Sequence, residues 1–353
     1  MTDAIVIGGG QAGLAAAREL QKAGREVLVL EANARLGDNW RQRWEGLRLF
    51  TPARYSSLPG LAFPADPYHL PTRLEFADYL EAYAKTAGLD TVTGARVTRV
   101  SGRVDGVGFA IETADARTFE CRHLTIASGA YRTPRLPGFA ERLPTDLPAL
   151  HSSEVRDTET WPGPDVAKVL VVGAGASGGQ LAVLLSRKHE VVLAGRDPGA
   201  LPRKVLGRDV YDYVFGLGVM SVPVDGWLGR RLRGAPGRGE VTVGARVEEL
   251  AEANGIERCA RVTDFTDRRF YTEEGQTVEG VGAVVFATGY DNRYDFVDIP
   301  GALDESGRPL HRGGRSPVAG LSWMGLPMMR RLSSALIGGV GADARALATS
   351  TTK

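Results

Sequence analysis

Cysteine is scarce in this chain of 353 residues: Cys121 and Cys259 are the only two, and they lie far apart. Two separated cysteines exclude a disulfide framework and are typical of a reducing compartment. The sequence also lacks a CxxC or Cx4C pair, which a dithiol redox centre would need. We therefore expect both thiols to be inert core groups.

Long apolar runs and an excess of one charge are also missing. No apolar run approaches the ~20 residues of a membrane span. Lys plus Arg number 43 against 42 for Asp plus Glu, which excludes nucleic acid or an anionic membrane as main partner. The five histidines show no metal-ligand spacing, so no metal site is expected. The first strand leaves no room for a signal peptide, and we expect a cytoplasmic protein.

The chain opens with the pattern strand, glycine turn, helix, strand, acid. An apolar strand ends at Gly8, the glycines continue at Gly10 and Gly13, and a second apolar strand ends at Glu31. In this geometry Gly8 makes the tight turn, Gly10 lets the backbone approach a pyrophosphate, and Gly13 lets helix and strand pack closely. The helix start binds phosphate and the acid binds ribose hydroxyls. The unit predicts a bound dinucleotide; a glycine turn without a ligand is the alternative.

The segment after the acid is expected to run beneath the cofactor. Gly37 would let the backbone pass close to it. Trp40 stacks on a ring system or fills the core, and the sequence leaves both open. Arg41 belongs to a dense group of arginines that could balance a pyrophosphate, although a solvated charged face is the alternative for at least two of them.

A second copy of the opening unit follows a proline-rich connector at 134–165. Its glycines repeat the spacing of the first copy: Gly173, Gly175 and Gly178. Counting 23 positions onward, as from Gly8 to Glu31, leads to Arg196. An arginine suits a 2′-phosphate where an acid suits a free ribose hydroxyl, and Arg203 could add to the same anion site. A surface arginine without a ligand is the alternative.

Two apolar strands end in the same kind of small turn. The run at 123–129 ends in Ala-Ser-Gly and the run at 281–289 ends in Ala-Thr-Gly. Such turns let two backbones cross. Together with the internal repeat, they predict an α/β fold of two doubly wound Rossmann-like domains, the second inserted in the first. We place the first domain at residues 1–150 and 285–353, and the second at 151–284.

Periodicity predicts further elements. An amphipathic helix is expected from Pro71, ending at Gly88. Strands are expected at 95–100, 108–113, 117–121 and 123–129, then at 240–243, 261–265 and 321–325, and a small-residue helix is expected from Ser333. The run at 230–239 is expected to be a solvated basic loop.

Several of these motifs together resemble the flavin-containing monooxygenases, above all their short bacterial members. They are GGGQAG with Glu31, GDNWR at 37–41, GAGASG at 173–178, Arg196 and ATGY at 287–290, and the match covers essentially the whole length. In that family FAD sits on the first glycine motif and NADPH on the second. The resemblance implies both cofactors, with O2 and a small molecule as substrates; a homodimer is left open.

The resemblance also implies the chemistry. The nicotinamide reduces the flavin, O2 then adds at flavin C4a, and the hydroperoxide oxygenates a small sulfur- or nitrogen-containing compound or a ketone. The start of the late helix, at Ala335, would face the flavin, because a helix N-terminus favours negative charge on the reduced ring. The expected cofactor contacts are Gly8, Gly10, Gln11, Ala12, Gly13, Glu31, Ala32, Gly37, Trp40, Arg41, Ala127, Gly129, Gly173, Gly175, Ser177, Gly178, Arg196, Arg203, Ala287, Thr288, Gly289 and Ala335.

The sequence departs from the family pattern in two places. His151 of the family fingerprint is present, but Val155 stands where an aromatic residue is expected. Many members carry an Asn near the flavin, and the equivalent run here is Phe50-Thr51-Pro52-Ala53, without Asn. Thr51 is therefore the candidate catalytic residue; if its hydroxyl cannot steady the oxygen adduct, peroxide escapes.

Three functions remain open at this point. The first is an NADPH-dependent monooxygenase, favoured by the full-length resemblance and by the absence of a redox cysteine pair. The second is an NADPH oxidase or acceptor reductase without oxygenation, favoured by the missing Asn. The third is a non-catalytic flavin-nucleotide sensor, which has no positive support in the sequence.

Overall fold

The computed structural model of the chain describes residues 1–103, 106–232 and 242–349. Within these ranges the strands are β1 (Thr2–Ile7), β2 (Val27–Leu30), β3 (Asp90–Val92), β4 (Val97–Gly102), β5 (Phe109–Thr113), β6 (Thr118–Ile126), β7 (Thr133–Pro134), β8 (Ala149–His151), β9 (Lys168–Val172), β10 (Glu190–Ala194), β11 (Ala200–Leu201), β12 (Lys204–Val205), β13 (Arg208–Asp209), β14 (Thr242–Val243), β15 (Glu257–Cys259), β16 (Val262–Thr266), β17 (Arg269–Thr272), β18 (Thr277–Val278), β19 (Ala283–Phe286), β20 (Tyr290–Asp291), β21 (Val297–Asp298) and β22 (Leu321–Trp323). The helices are α1 (Gln11–Lys22), α2 (Asp38–Arg41), α3 (Arg73–Ala87), α4 (Ala176–Leu185), α5 (Val210–Gly216), α6 (Trp227–Leu232), α7 (Val247–Ala253) and α8 (Ile337–Ala348).

The first sheet has the order β21-β4-β5-β6-β1-β2-β3, with β22 also paired to β6. Its centre is parallel: β1 lies between β2 and β6, and β22 runs parallel to the last residues of β6. Residues 4–7 of β1 are buried, as a strand covered on both faces requires. The strands β4, β5 and β6 form an antiparallel meander that extends this sheet on one side.

The second sheet has the order β15-β10-β9-β19-β8, and every pairing in it is parallel. A small antiparallel sheet of β16, β17 and β18 follows β15 in the chain. Two separate parallel sheets, each opening with strand, glycine turn, helix and strand, give the predicted doubly wound α/β architecture.

The strands of the first sheet come from both ends of the chain, and those of the second sheet come from between them. The predicted boundaries at 150 and 285 cut β8 and β19, which both lie in the second sheet. A boundary drawn from the sheets therefore falls before Ala149 and after Phe286, a shift of a few residues at each junction. The division into an inserted and a discontinuous domain is kept as a proposal.

Most predicted elements lie where periodicity put them. Helix α3 begins with a capping box, in which Glu75 N donates to Thr72 Oγ1 at 3.2 Å and Thr72 N donates to Glu75 Oε2 at 2.7 Å. It ends at Gly88, whose φ of +60° is the left-handed conformation that favours glycine. The two strands expected at 117–121 and 123–129 are one continuous strand, β6, because Cys121 and His123 both pair with β1.

Two other expectations need correction or lie outside the description. The late helix begins at Ile337, not at Ser333, because the Ser334 hydroxyl accepts from the backbone N–H groups of Arg330 and Arg331 and closes a turn first. The basic loop expected at 230–239 is described only to residue 232, where α6 ends; the rest of it lies outside the described residues, as do 240 and 241 of the expected strand 240–243.

Candidate functional site

The first glycine turn joins β1 to α1. Gly8 has φ +108°, and a Cβ there would lie 2.4 Å from Ala127 O, so only glycine fits against the end of β6. A Cβ on Gly13 would lie 1.8 Å from Gly8 O, which explains the close approach of helix to strand. A Cβ on Gly10 would meet nothing within 4 Å. Gly8 and Gly13 are thus required by the protein itself, whereas Gly10 borders open space.

Glu31 orders the mouth of this turn. Its Oε2 accepts from Gly9 N at 2.8 Å, and its Oε1 accepts from Asn33 N at 2.8 Å and from Asn33 Nδ2 at 2.6 Å. The carboxylate is 8% exposed, so it is held in one orientation with lone pairs left to accept further bonds. Gly9 and Asn33 were not singled out from the sequence, although an amide two residues after the acid is a recognisable turn signal.

The start of α1 fits a pyrophosphate. Its first turn contains no acidic side chain, and no side chain caps it at Gly10, so the N–H groups at Gln11, Ala12 and Gly13 face the open space beside Gly10. The buried Ser128 Oγ and Trp40 Nε1 find no hydrogen-bond partner among the described residues. Buried polar atoms of this kind normally have partners, and a bound dinucleotide would supply them.

The segment after Glu31 has roles that the sequence did not reveal. Gly37 has φ +82° and its Cβ would lie 2.6 Å from Ala77 O, so its close approach is to α3. Arg41 donates to Leu36 O and forms ion pairs with three carboxylates: Asp38, Asp78 and Glu81. Its guanidinium is thus held within the protein, which corrects its expected role as a free cation balancing a pyrophosphate. Trp40 packs edge-on against Phe76 at 4.9 Å, which is the core-filling alternative.

Thr51 is buried, 4% exposed, and its hydroxyl lies 2.9 Å from Ser56 Oγ. Ser56 Oγ is also 3.1 Å from two carbonyl oxygens, those of Thr51 and Pro52. When Ser56 donates to either carbonyl, Thr51 donates to Ser56 and keeps only lone pairs for another group. The pair therefore offers an acceptor, whereas an Asn side chain would also offer a donor. Ser56 was not identified from the sequence.

Aromatic side chains surround the segment that carries Thr51. Tyr55 stacks on Phe215 of α5 with centroids 4.7 Å apart, and Phe50 and Tyr55 both lie near Tyr211 of the same helix. Asp212 Oδ1 accepts from Tyr55 OH at 2.6 Å, which fastens the loop to α5. Burial raises the pKa of Tyr55 to about 12, so its hydroxyl stays protonated at neutral pH. The surroundings of Thr51 are thus largely apolar.

The two Ala-X-Gly exits meet, as expected from their sequences. Ala127 N donates to Ile7 O and Ala287 N donates to Val172 O, each at 2.8 Å, so each exit continues beside its own glycine turn. Beyond them, β7 and β20 pair antiparallel and join the two connections. Gly129 and Gly289 have φ of +84° and +80°, which the turns require. Thr288 Oγ1 donates to Arg135 O across this junction.

His151 holds the same junction together. Its Nδ1 accepts from Ser153 N at 3.2 Å, so Nε2 carries the proton and donates to Gly289 O at 3.0 Å. Burial lowers the pKa of His151, which keeps the ring neutral at neutral pH. Tyr290 packs edge-on against the ring, and its hydroxyl accepts from Arg43 Nη1 at 2.6 Å. His151 is a positioning residue at the crossing of the two connections.

The second glycine turn repeats the first. Gly173 has φ +110° and its Cβ would lie 2.3 Å from Ala287 O; a Cβ on Gly178 would lie 1.8 Å from Gly173 O; and Gly175 again borders open space. No side chain caps α4 at Gly175, and its first turn, with Ser177, holds no acid. Both glycine turns therefore have the geometry of a phosphate-binding helix start.

The sheet register corrects the position assigned to Arg196. Gly8 N donates to Leu30 O and Gly173 N donates to Ala194 O, so these two acceptors are equivalent. The residue equivalent to Glu31 is therefore Gly195, and Arg196 comes one position later. The count was wrong by one because the second unit is one residue shorter between its first glycine and the end of its second strand. The acid is absent and an arginine follows, which still suits a phosphate better than a free ribose hydroxyl.

Arg196 lines a cleft of about 290 Å³ with Gly195, Asp197, Arg258, Glu273 and Glu274 among its walls. Its Nε and Nη2 donate to Glu273 Oε1 and Oε2 at 3.0 and 2.7 Å. Arg203 does not line this cleft, which corrects its expected role: it donates to Phe50 O at 2.6 Å and pairs with Asp209 at 2.8 Å. Arg203 is instead tied to the residue next to Thr51.

The remaining expected contacts lie around the two turns, with one correction. Ala32 follows Glu31 directly and is half-buried. Gly325 approaches the start of α1, since its Cβ would lie 2.7 Å from Ala12 Cβ. Ala335 lies in the turn before α8, so it is not part of the helix whose start was expected to face the flavin; that start is at Leu336 and Ile337.

The thiols and the metal chemistry add nothing to the site. Cys121 is buried in β6, and burial raises the pKa of its thiol to about 12; burial raises that of Cys259, at the end of β15, to about 11. They lie in different sheets and form no redox pair. Among the described residues no cluster of His, Cys, Asp and Glu could hold a metal ion, and no described helix is long and apolar enough to cross a membrane.

Fold and site together define an oxidoreductase with two dinucleotide-binding units. Residues 5–205 match the pyridine nucleotide-disulphide oxidoreductase family. The chain is 34% identical over 348 residues to a CzcO-like oxidoreductase of Geobacillus kaustophilus, covering 98% of this chain and 97% of that protein. It is 32% identical over 218 residues to the indole-3-pyruvate monooxygenase YUCCA1 of Oryza sativa subsp. japonica, covering 61% and 53%.

A flavin-containing monooxygenase from Stenotrophomonas maltophilia has a similar structure, with a TM-score of 0.79, 25% identity and coverage of 100% of this chain and 99% of that one. The chain therefore belongs to the pyridine nucleotide-disulphide oxidoreductase family, and within it to the oxidoreductases of the flavin monooxygenase type. The predicted resemblance and the predicted fold class are confirmed.

Proposed function

We propose that the protein is an FAD-dependent monooxygenase that uses NADPH and O2 on a small molecule. The observation that carries this proposal is the pair of uncapped glycine turns, one followed by Glu31 and the other by Gly195 and Arg196, whose exits meet at one junction. FAD is assigned to the first turn and NADPH to the second. The proposal includes the inserted arrangement of the domains and a cytoplasmic location, and it leaves a homodimer open.

In this proposal each residue has a defined task. The first turn of α1 binds the FAD pyrophosphate, Glu31 accepts from the adenosine ribose, and Ser128 and Trp40 donate to cofactor atoms. A bound flavin supplies electron transfer from the nicotinamide and the activation of O2. His151 keeps the two connections in register, so that a nicotinamide on the second unit meets a flavin on the first. Thr51, held by Ser56, presents a hydrogen-bond acceptor beside the reacting ring.

The surroundings of Thr51 support a small, largely apolar substrate. Phe50, Tyr55, Tyr211 and Phe215 provide apolar surface, and the Tyr55 hydroxyl is already bonded to Asp212. A thioether, an amine or a ketone fits such surroundings, since none carries a charge that would need a buried counter-ion. Tertiary amines enter in their neutral form.

The test is a turnover experiment with isotopically labelled O2. The purified protein should be yellow and release FAD on heating, and NADPH consumption should rise when a panel of thioethers, amines and ketones is added. The expected result is one labelled oxygen atom in the product for each NADPH consumed. A colourless protein that does not take up FAD would contradict the proposal at its first step.

A second candidate is an NADPH oxidase or acceptor reductase, and the Thr51–Ser56 pair favours it. With its hydroxyl proton donated to Ser56, Thr51 offers no donor where relatives of this type carry Asn. In that case every pair of electrons from NADPH leaves as H2O2 or passes to an added dye, and no substrate becomes labelled.

A further inference from the structure

Glu273 is the acid bonded to Arg196, and it comes from a distant part of the chain. It lies in the hairpin between β17 and β18, where Gly275 with φ +80° makes the turn and Thr272 N donates to Gln276 O at 2.9 Å. Glu273 N donates to Arg261 O at 2.8 Å, and Gln276 Oε1 accepts from Ala260 N at 3.2 Å. The hairpin therefore fixes the carboxylate at the rim of the cleft.

The pair occupies the face of Arg196 that a phosphate would need. Nε and Nη2 both donate to the carboxylate, which is the bidentate arrangement that arginine also uses for phosphate. The bond to Arg196 holds the pKa of Glu273 below its usual range, so the acid is ionised at neutral pH. A 2′-phosphate can gain Arg196 only by displacing a carboxylate that remains nearby and repels it.

The other arginines of the cleft do not offer a free alternative. Arg258 donates to Leu193 O and Gly195 O, each at 2.7 Å, and lies 3.7 Å from Glu248. Arg246 pairs with Asp197 at 3.0 Å. The cleft walls carry four carboxylates against two arginines: Asp197, Glu248, Glu273 and Glu274 against Arg196 and Arg258. Its charge favours an uncharged ribose over a phosphorylated one.

We infer that Glu273 is a specificity-determining residue that competes with the 2′-phosphate for Arg196 and thereby narrows the preference for NADPH over NADH. The inference rests on the proposed function, because it assumes that the second unit binds the adenosine end of the nicotinamide cofactor. A nucleotide without the 2′-phosphate leaves the Arg196–Glu273 pair intact. The acid therefore acts against one cofactor and is neutral toward the other.

The test uses the FAD-loaded protein and two fragments, 2′,5′-ADP and 5′-AMP, whose binding is measured by calorimetry. Glu273→Gln should tighten 2′,5′-ADP by about 2- to 10-fold, the range expected for removing one exposed carboxylate partner, and leave 5′-AMP unchanged. Glu273→Ala should act in the same direction, since it removes both the charge and the acceptor. The NADPH/NADH ratio of kcat/KM should rise by the same factor.

Glu274→Gln is the matched control. It removes the same charge from the same cleft, but the Arg196 guanidinium bonds Glu273 and not Glu274 in the described part of the chain. An equal gain with Glu274→Gln would overturn the inference, because the effect would then come from net charge alone. Unchanged or weaker 2′,5′-ADP binding in both Glu273 variants would also overturn it, provided that the unaltered protein binds this fragment.

The binding measurement separates this inference from the proposed function. If NADPH fails to reduce the flavin, the proposed function fails, while the effect of Glu273 on 2′,5′-ADP is still measured. If NADPH reduces the flavin but Glu273→Gln has no effect on either fragment, the inference fails and the proposed function stands.

Discussion

The two glycine turns are built alike but finished differently. In each, the first glycine sits 2.3–2.4 Å, by its absent Cβ, from an exit carbonyl, and the third sits 1.8 Å from the carbonyl of the first. After the turn, the first unit places Glu31 on Gly9 N, whereas the second has Gly195 there and Arg196 beyond it. The backbone thus provides the same phosphate site twice, and a single side chain at the end of the second strand sets which ribose it accepts.

The largest effect is expected from the third glycine of the first turn. Gly13→Ala forces a Cβ against Gly8 O and should destabilise the protein by at least about 3 kcal/mol, the upper part of the range for overpacking. Gly10→Ala should leave the melting temperature of the flavin-free protein unchanged, since its Cβ meets nothing, while lowering the FAD content. Thermal unfolding without FAD checks both. Equal melting temperatures for the two variants would contradict the distinction between packing and phosphate glycines.

Glu31→Arg should weaken FAD binding most among changes outside the turn itself. It replaces an acceptor for the ribose hydroxyls with a cation and also frees Gly9 N and Asn33. Charged hydrogen bonds of this kind correspond to about ten- to hundred-fold in affinity. Fluorescence titration of the flavin-free protein measures the loss, with Glu26→Arg, a change of the same kind close by in the sequence, as control. Full FAD affinity in Glu31→Arg would assign the first turn to another ligand.

Arg196→Ala should act on the second nucleotide only. NADPH loses its bidentate partner, and kcat/KM for NADPH should fall by about ten- to hundred-fold while that for NADH stays the same. Steady-state kinetics with both nucleotides is the measurement. The control is Arg246→Ala, because Arg246 is paired with Asp197 at the same cleft and should leave the NADPH/NADH ratio unaltered. A harmless Arg196→Ala would return this arginine to the role of a surface residue.

Thr51→Val should give the smallest effect. The change keeps the shape and removes one neutral hydrogen-bonding group, worth about 1 kcal/mol or roughly five-fold. The share of NADPH electrons released as H2O2 should rise by up to this factor, and a peroxide assay during turnover measures it. Ser56→Ala separates the two hydroxyls, since it frees the Thr51 proton to act as a donor. Unchanged peroxide release in Thr51→Val would show that Thr51 does not replace the missing Asn.

Local patterns were predicted well because their physics is local. Gly8, Gly10 and Gly13 are spaced by the turn they make, and the Thr72–Glu75 capping box and Gly88 bound α3 within one segment. These features need no knowledge of distant chain. The same holds for the alternating burial that marked β5 and the apolar runs of β1 and β9.

The errors came from long-range partners. Arg41 and Arg203 were assigned to phosphates from charge alone, but α3 and Asp209 with Phe50 hold them. The register that moves Arg196 by one position depends on the pairing of β9 with β10, which counting cannot supply. Glu273 lies 77 positions after Arg196, and nothing in its own segment marks it as a partner.

The division of labour between the two turns is tested most directly by anaerobic reduction of the FAD-loaded protein with NADPH, followed by flavin absorbance, in the unaltered protein and in Gly175→Ala. A Cβ at Gly175 meets no protein atom within 4 Å, so it should interfere only with a phosphate on the second turn. The account predicts that Gly175→Ala keeps its full FAD content and is reduced much more slowly at limiting NADPH. Loss of FAD from Gly175→Ala, or reduction at the unaltered rate, would contradict the assignment of FAD to the first turn and NADPH to the second.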